Sequence, residues 1–424
     1  MKYYLVGIKG TGMSALAKVL QDLGYEVLGS DVRENYFTDE SLKKRNIKVL
    51  NFNKKNIKEE CIYIASSCYD ESNVEIKEIK NKGYKLYYYH EFIGEFFKGE
   101  KIGISGTHGK TTTTHILNCL FNGEKRVAII GDGYGRGDNN YQYYLFEACE
   151  YKNHFLSYSY DTLLINNIDL DHLDYFNNIN DCIDSFQKAA DKSERIVINI
   201  DDDNARKIKH KNIITFGLNE AADIYGKIVE EYINGYLIEV KVNNKKYRYI
   251  LNNTGKFFIY DFLGALSIYY IYNFDLLKVQ EKMNMYKNPE RRMNEYIYLD
   301  NIVIDDYAHH PSEIKECLNA IKQKYSNKKL IVIFEPHTYT RTIRLKDKFR
   351  DVFNEVDELY LAKTFTSKRE KKSRDLEAEV LKIFKNAKRY DRKIFAKFKK
   401  EKNNVIVIMG AGNLLESIKG ILKT

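Results

Sequence analysis

Apolar residues in this chain fall into short blocks of four to six, separated by stretches in which they recur every three or four positions. Such blocks read as strands covered on both faces, and the longer spacing reads as helices packed on a sheet. Blocks at residues 3–8, 25–29, 47–50, 61–66 and 85–88 alternate with helical patterns up to residue 23 and over 73–82. This predicts a small doubly wound unit ending near residue 98. A second series has strands at 101–105, 126–130 and 162–168, a strand ending in Glu147-Ala148-Cys149-Glu150, and a helix over 111–121. Residues 225–251 alternate at period two, as small antiparallel strands do, and a Tyr-rich helix over 256–272 closes the unit. From Arg291 the alternation resumes, with strands at 302–306, 330–335, 358–362 and 405–409 and helices after Pro311 and Tyr339. The expected fold class is α/β with three domains, residues 1–98, 99–290 and 291–424.

Composition narrows the class. The 424 residues suit about two to four domains with proper cores. No apolar run approaches the ~20 residues needed to span a bilayer, and no charged leader precedes an apolar block, so a soluble, cytoplasmic protein is expected. The six cysteines are scattered without a Cys-x-x-Cys pair, which argues against a zinc ribbon or a disulfide framework. The net charge of +9 is spread over Lys residues that alternate with Glu and Asp, so nucleic-acid binding is not implied. Three prolines and nine histidines are scarce enough for their clustering around a few turns to carry weight.

The candidate chemistry lies in those turns. Residues 103–114 run Gly-Ile-Ser-Gly-Thr-His-Gly-Lys-Thr-Thr-Thr-Thr at a strand-to-helix switch. Gly106, Thr107, His108 and Gly109 form a turn whose backbone N–H groups can close around a phosphate. Lys110 can reach the terminal phosphates, Thr111 offers a hydroxyl to Mg²⁺, and Thr112 continues the helix start. The implied ligand is a nucleoside triphosphate. Ile104 stands where the general Gly-x-x-x-x-Gly-Lys pattern has its first Gly. Near the N-terminus, Gly10, Gly12 and Ser14 open a helix, with Asp31 about 20 positions on; this turn suits a diphosphate, whether of NAD or of a UDP-sugar. Glu147 and His172 are expected beyond strand ends, where they could complete a Mg²⁺ shell, the carboxylate being the better ligand for that ion. Two further turns, 305–311 with His309 and His310 and 335–342 with His337 and Arg341, are expected at one sheet edge.

In order, these motifs resemble those of the Mur ligases of peptidoglycan synthesis over the whole chain. They are Gly-x-Gly-Met-Ser, Gly-Thr-His-Gly-Lys-Thr-Thr-Thr-Thr, Glu-Ala-Cys-Glu-Tyr, Asn-Ile-Asp-x-Asp-His-x-Asp-Tyr, Arg-Arg, Asp-Asp-Tyr-Ala-His-His-Pro and Pro-His-Thr-Tyr-Thr-Arg-Thr. The last two look like the alanine-adding branch. The resemblance implies a UDP-sugar-binding N-terminal Rossmann-like domain, a central P-loop ATPase-type domain and a C-terminal Rossmann-like domain. It also implies ATP-dependent ligation of L-alanine to UDP-N-acetylmuramate through an acyl phosphate, with Mg²⁺. Carried over by position, Lys110 is the β/γ-phosphate lysine, Thr111, Glu147 and His172 are metal-associated, and Arg292 and Asp306 face ATP from the C-terminal domain. His309, His337 and Arg341 fall in substrate-facing turns; Gly10, Gly12, Ser14 and Asp31 are expected on the UDP-sugar. The chain departs from the family at Tyr260, Asp261 and Gly264, where a His-Asn pair and a later Asn hold the adenine side, at Lys9 in place of Gly, and at Asn413 in place of Asp. An ionised Asp261 could accept from adenine N6 but would repel N7. Three other readings stay open at this stage: a nicotinamide-dependent oxidoreductase, a non-catalytic binding protein of the family, and a recycling ligase that joins a preformed peptide.

Overall fold

The structure, a computed structural model, describes residues 1–34, 36–366, 370–412, 414, 415, 418 and 420; Asn413 lies outside them. Three sheets follow one another along the chain. The first has five parallel strands, with Lys2–Val6 at its centre between Glu26–Asp31 and Cys61–Ala65, and with Lys48–Asn51 and Leu86–Tyr88 at its edges. Its first helix, Thr11–Asp22, is buried along most of its length. A strand of the next sheet, Gly135–Gly137, lies against that helix, and a Cβ on Gly135 would come 2.1 Å from the Ala15 carbonyl. Lys18 donates to the Gly133 carbonyl at 2.7 Å, so the small residues at 133–137 serve to dock the second unit onto the first.

The second sheet has ten strands, and its centre is Glu100–Ser105 between the parallel strands Tyr160–Ile165 and Tyr143–Glu147. Two of its strands, Ser193–Asn199 and Ile213–Gly217, and the helix Ile179–Ala190 fall in a stretch for which the sequence reading made no prediction. The expected antiparallel strands form as Ile224–Tyr232, Gly235–Val242 and Lys245–Leu251. Helix Lys110–Leu120 packs against helix Lys256–Ile271, whose buried run Leu263–Tyr269 is apolar apart from Gly264 and Ser267. A helix apolar all round must be covered on all sides. Gly264 is part of that fit: a Cβ there would come 3.0 Å from Leu164 Cδ1 and 3.3 Å from Asn166 Oδ1, so a side chain such as the Asn of the family pattern would need these neighbours to give way.

The third sheet has six strands in the order Asn294–Tyr298, Asn301–Asp306, Asn404–Met409, Lys329–Phe334, Glu358–Leu361 and Lys388–Arg389. Only the first pairs antiparallel. Asn301–Asp306 and Lys329–Phe334 run the same way, so the turns after Asp306 and Glu335 emerge at one edge, as expected. That edge faces the phosphate loop of the second unit. All six cysteines are free thiols, and among the described residues no helix is long and apolar enough to cross a membrane.

Candidate active site

Strand Glu100–Ser105 ends in a turn with Gly106 at φ 136° and Gly109 at φ 82°, and helix Lys110–Leu120 starts directly behind it. Gly109 needs both its freedom and its small size, because a Cβ there would lie 2.2 Å from Asp261 Oδ1. Asn167 braces the first half of the turn. Its carbonyl accepts from the Thr107 N–H at 3.1 Å, its Oδ1 from the His108 N–H at 2.8 Å, and its Nδ2 donates to the His108 carbonyl at 3.1 Å. The first N–H groups of the following helix have no carbonyl one turn earlier, which leaves donors and a positive dipole end for an anion.

Lys110 folds back over this turn. Its ammonium donates to the carbonyls of Gly106 and Thr107 and meets Glu150 Oε2 at 3.0 Å. Glu150 also lies 3.5 Å from His172 Nε2, so one buried carboxylate joins the lysine and the imidazole. Burial pushes the Glu150 carboxyl up, but Lys110 and His172 outweigh it and hold it below the ordinary range. Glu147, by contrast, is raised by burial, although the Gly131 N–H donates to it at 2.6 Å and the Thr111 hydroxyl also bonds to it. The carboxylate that meets His172 directly is Glu150. His172 itself has φ 51°, uncommon for a non-glycine residue, and its ring lies against Tyr151 at 4.7 Å.

The third unit closes the front of the loop. A cavity of about 140 Å³ lies between the two units and is lined by His108, Gly109, Thr112 and Asp261 on one side and by Arg292, Asp306 and Glu313 on the other. Asp306 is fixed by N–H donors from Ala308 at 2.8 Å and Met293 at 2.9 Å, while burial raises its pKa. The Arg292 guanidinium lies over the Tyr307 ring and 4.0 Å from Glu313. Neighbouring Arg291 instead turns inward to the carbonyls of Gly410 and Gly412, so the two arginines divide into one structural and one cavity-facing. Glu313 is 3.4 Å from His108 Nδ1, and Asp169 is 3.7 Å from its Nε2. Burial works to lower the His108 pKa, but these two carboxylates carry it up to about 9.

Asp261 is held by residues beneath the phosphate loop. Its Oδ1 accepts from the Thr113 hydroxyl at 2.9 Å and from Asn166 Nδ2 at 3.4 Å. Burial pushes its carboxyl up to about 7. Tyr260 points elsewhere on the same helix, toward Asp201.

Across the cleft between the second and third units, Arg341 grips Asp171 at two points and also meets His337 Nδ1 at 2.5 Å. His309 bonds the Tyr307 carbonyl at 3.0 Å and packs edge-on to His337; burial and the Arg341 charge bring its pKa down to about 3. In the N-terminal unit, Asp31 accepts from the N–H groups of Lys9 and Val32, both at 2.8 Å, and from the Tyr69 hydroxyl at 3.0 Å. It braces the glycine turn from behind. Lys9 leans away to the Glu34 carbonyl and Asp39. Gly10 opens the helix, Gly12 has the Tyr89 ring against it, and the Ser14 hydroxyl is buried without a hydrogen-bond partner.

Three family models match this chain in order: the Mur ligase family catalytic domain at residues 2–101, the Mur ligase middle domain at 104–269 and the Mur ligase glutamate ligase domain at 291–412. The chain belongs to the Mur ligase family. Members of this family are ATP-dependent ligases of peptidoglycan precursors. Among solved structures, the UDP-N-acetylmuramate-alanine ligase of Thermotoga maritima is similar with a TM-score of 0.83 at 23% identity, covering 100% of this chain and 98% of that one. A murein peptide ligase of Psychrobacter arcticus matches at 0.76 and 19% identity, with the same coverage. The MurF ligase of Thermotoga maritima, solved in complex with ADP, matches at 0.65 and 16% identity over 88% of this chain and 97% of that one. These likenesses bear out the three-part α/β fold.

Sequence reading singled out Lys110, Thr111, Glu147, His172, Arg292 and Asp306, and all of them lie around the loop or the adjoining cavity. It gave no role to Glu150, Asn167 or Glu313. Glu150 and Asn167 stand within the quoted motifs, and Glu313 comes two residues after the His-His-Pro turn, so their position in the sequence was a usable signal.

Proposed function

We propose that this chain joins L-alanine to UDP-N-acetylmuramate with ATP as co-substrate. The observation that carries this reading is the meeting of two units at one loop: Lys110, Thr111 and Glu147 on one side of the turn, Arg292 and Asp306 across the cavity. A carboxylate is a poor electrophile at neutral pH and must first be activated. In the proposed reaction the lactyl carboxylate attacks the γ-phosphorus, an acyl phosphate forms and ADP leaves. The alanine amine then attacks the acyl carbon, and inorganic phosphate departs from a tetrahedral intermediate. Such transfers depend mainly on positioning and charge neutralisation.

The residues present suit ATP and Mg²⁺. The half-buried carboxylate of Glu147 beside the Thr111 hydroxyl is an oxygen-donor pair of the kind Mg²⁺ prefers, and His172 stands nearby through Glu150. Bound there, the ion would neutralise charge on the phosphate oxygens. Gly106, Thr107, His108, Gly109 and Thr112 would hold the phosphates through the loop and helix start. Lys110, released from Glu150, would supply the cation beside the transferring group. Arg292 and Asp306 would hold the nucleotide from the third unit, with Asp261 at the adenine side. Gly10, Gly12, Ser14 and the Asp31-braced turn would take the UDP-sugar diphosphate, and His309, His337 and Arg341 would border the amino-acid site.

The test is phosphate release with ATP, Mg²⁺, UDP-N-acetylmuramate and, in turn, alanine, serine, glycine and the stem tripeptide. Release specific to alanine is expected. The likeness to the murein peptide ligase favours one second reading, ligation of a preformed peptide, and preference for the tripeptide would establish it instead. No release with any acceptor would end the catalytic reading.

A further inference from the structure

One cluster of side chains beside the cavity is not used by that scheme, which takes only the backbone of His108 in the phosphate loop. His108 of the phosphate loop, Asp169 of the loop that follows strand Tyr160–Ile165, and His310, the N-cap of helix Pro311–Lys324, each bring one donor atom to within 4.8 Å of the others. The two imidazole rings lie 5.0 Å apart. His310 is fully buried; its Nδ1 accepts from the Ser312 N–H, while its Nε2 has no hydrogen-bond partner. The Asp169 and Glu313 carboxylates flank the His108 ring, one at each nitrogen. Asp169 is already oriented: its Oδ2 accepts from the Ser312 hydroxyl at 3.1 Å and its Oδ1 from the Leu170 N–H at 2.8 Å. With Nδ1 accepting, a neutral His310 carries its proton on Nε2, so an ion bound at Nε2 requires the other tautomer, at the expense of the long 3.4 Å contact from the Ser312 N–H, and it must also displace a proton from His108.

We propose that His108, Asp169 and His310 form a second metal site, distinct from the Mg²⁺ position at Thr111 and Glu147, that takes a borderline ion such as Zn²⁺. Two imidazoles and one carboxylate are a zinc donor set, whereas Mg²⁺ favours oxygen. Glu313, 3.4 Å from the other ring nitrogen, Nδ1, is placed to orient the His108 ring as a supporting carboxylate, and water would complete the four-coordinate shell. Two ligands belong to the central unit and His310 to the third, so the ion binds only when the units are together. It therefore favours the closed arrangement by linkage. The bound ion also fixes His108, and with it the phosphate loop, to the N-terminus of the helix that carries Glu313.

The probe is Zn²⁺ or Co²⁺ alone, added to the full chain without nucleotide. One equivalent should bind with a rise in melting temperature, and Co²⁺ should give the intense visible absorption of a four-coordinate site. His310→Ala should weaken binding by at least about 100-fold, beyond the ~10–100-fold that loss of a mere supporting partner costs. Because His310 caps a helix, Asp169→Asn serves as a second variant and should also lose the site. Glu147→Gln, which alters the Mg²⁺ position, should retain it. Equal binding in wild type and both cluster variants, loss only in Glu147→Gln, or a weak six-coordinate Co²⁺ spectrum would each overturn the proposal. None of these readouts depends on ligase activity.

Discussion

Arg341 and Asp171 form a two-point ion pair across the cleft between the second and third units, with Nε to Oδ1 at 3.0 Å and Nη2 to Oδ2 at 3.2 Å. Both residues are buried. Burial alone would raise the Asp171 carboxyl, but His172 and Arg341 hold it well below the ordinary range. The planar fork of arginine matches a carboxylate in this way, and lysine does not. Because Asp171 is next to His172, the contact ties the third unit to the loop that also presents the His172 imidazole.

Removing Arg341 would leave that carboxylate buried without its cation. Loss of one partner of a buried pair typically costs on the order of 3–5 kcal/mol. Here the protein can escape the cost by separating its units. Arg341→Ala should therefore shift small-angle scattering toward a more extended particle while each unit keeps its secondary structure. Asp171→Asn combined with Arg341→Ala should cost less than the sum of the single changes. Strictly additive effects would show that the pair does not act as a unit.

Lys110 and Glu150 make a second set of opposed roles. Lys110→Ala should lower kcat by roughly 100-fold or more, the scale on which a preorganised electrostatic contact acts. Glu150→Gln removes the charge that holds the ammonium back and that bonds His172. Its kcat should fall less than that of Lys110→Ala, and the double variant should be no worse than Lys110→Ala alone. Steady-state phosphate release measures all three. A double variant much slower than Lys110→Ala would mean that Glu150 acts independently of the lysine.

At Asp261 the sign of a pH effect can be worked out. An unfolded Asp ionises near pH ~3.9, whereas burial places the folded group at about 7. Between those values the folded protein holds the extra proton, so the stability present below the unfolded pKa declines as pH rises and levels off above the folded pKa. Asp261→Asn keeps an acceptor for Thr113 and cannot ionise. Its melting temperature relative to wild type should be constant below about pH 4 and rise progressively from there to about pH 7–8, a change of a few kcal/mol at about 1.4 kcal/mol per pKa unit. A gap independent of pH would rule out titration of Asp261 as its source.

The unevenness of what could be read beforehand has physical causes. Strands such as Lys2–Val6 and Glu100–Ser105 are buried on both faces, so their apolar blocks were legible. Edge strand Asn294–Tyr298 exposes Tyr296 and Ile297, and no unbroken apolar block marked it. Lys110, Arg292 and Asp306 could be placed because each stands in a motif tied to a turn. Glu150 was missed because its role comes from Lys110 and His172, which lie far from it in the sequence. The meeting of His108 with His310 depends on how two units dock, and no local pattern records that. Gly264 and Asp261, first read only as departures, are explained by Leu164, Asn166 and Thr113, residues remote in sequence.

Gly12 offers a test of the N-terminal turn. A Cβ there would lie 2.8 Å from Cζ and Oη of Tyr89, so the absence of a side chain is what admits the ring. Burial carries the Tyr89 phenol well above its usual pKa, with Glu147 among the charges adding to the shift, which sets the ring between the glycine turn and the phosphate-loop side. Gly12→Ala must displace the ring or the turn, and overpacking of this kind costs roughly 1–3 kcal/mol. The loss should appear in melting temperature and as a raised KM for UDP-N-acetylmuramate, with KM for ATP nearly unchanged. Adding Tyr89→Ala removes the clash and should return most of the stability to Gly12→Ala. If the second change instead destabilises the protein further, the ring is not what Gly12 accommodates. Recovery of stability without recovery of KM would show that the turn itself, and not only the packing behind it, is where the sugar nucleotide is held.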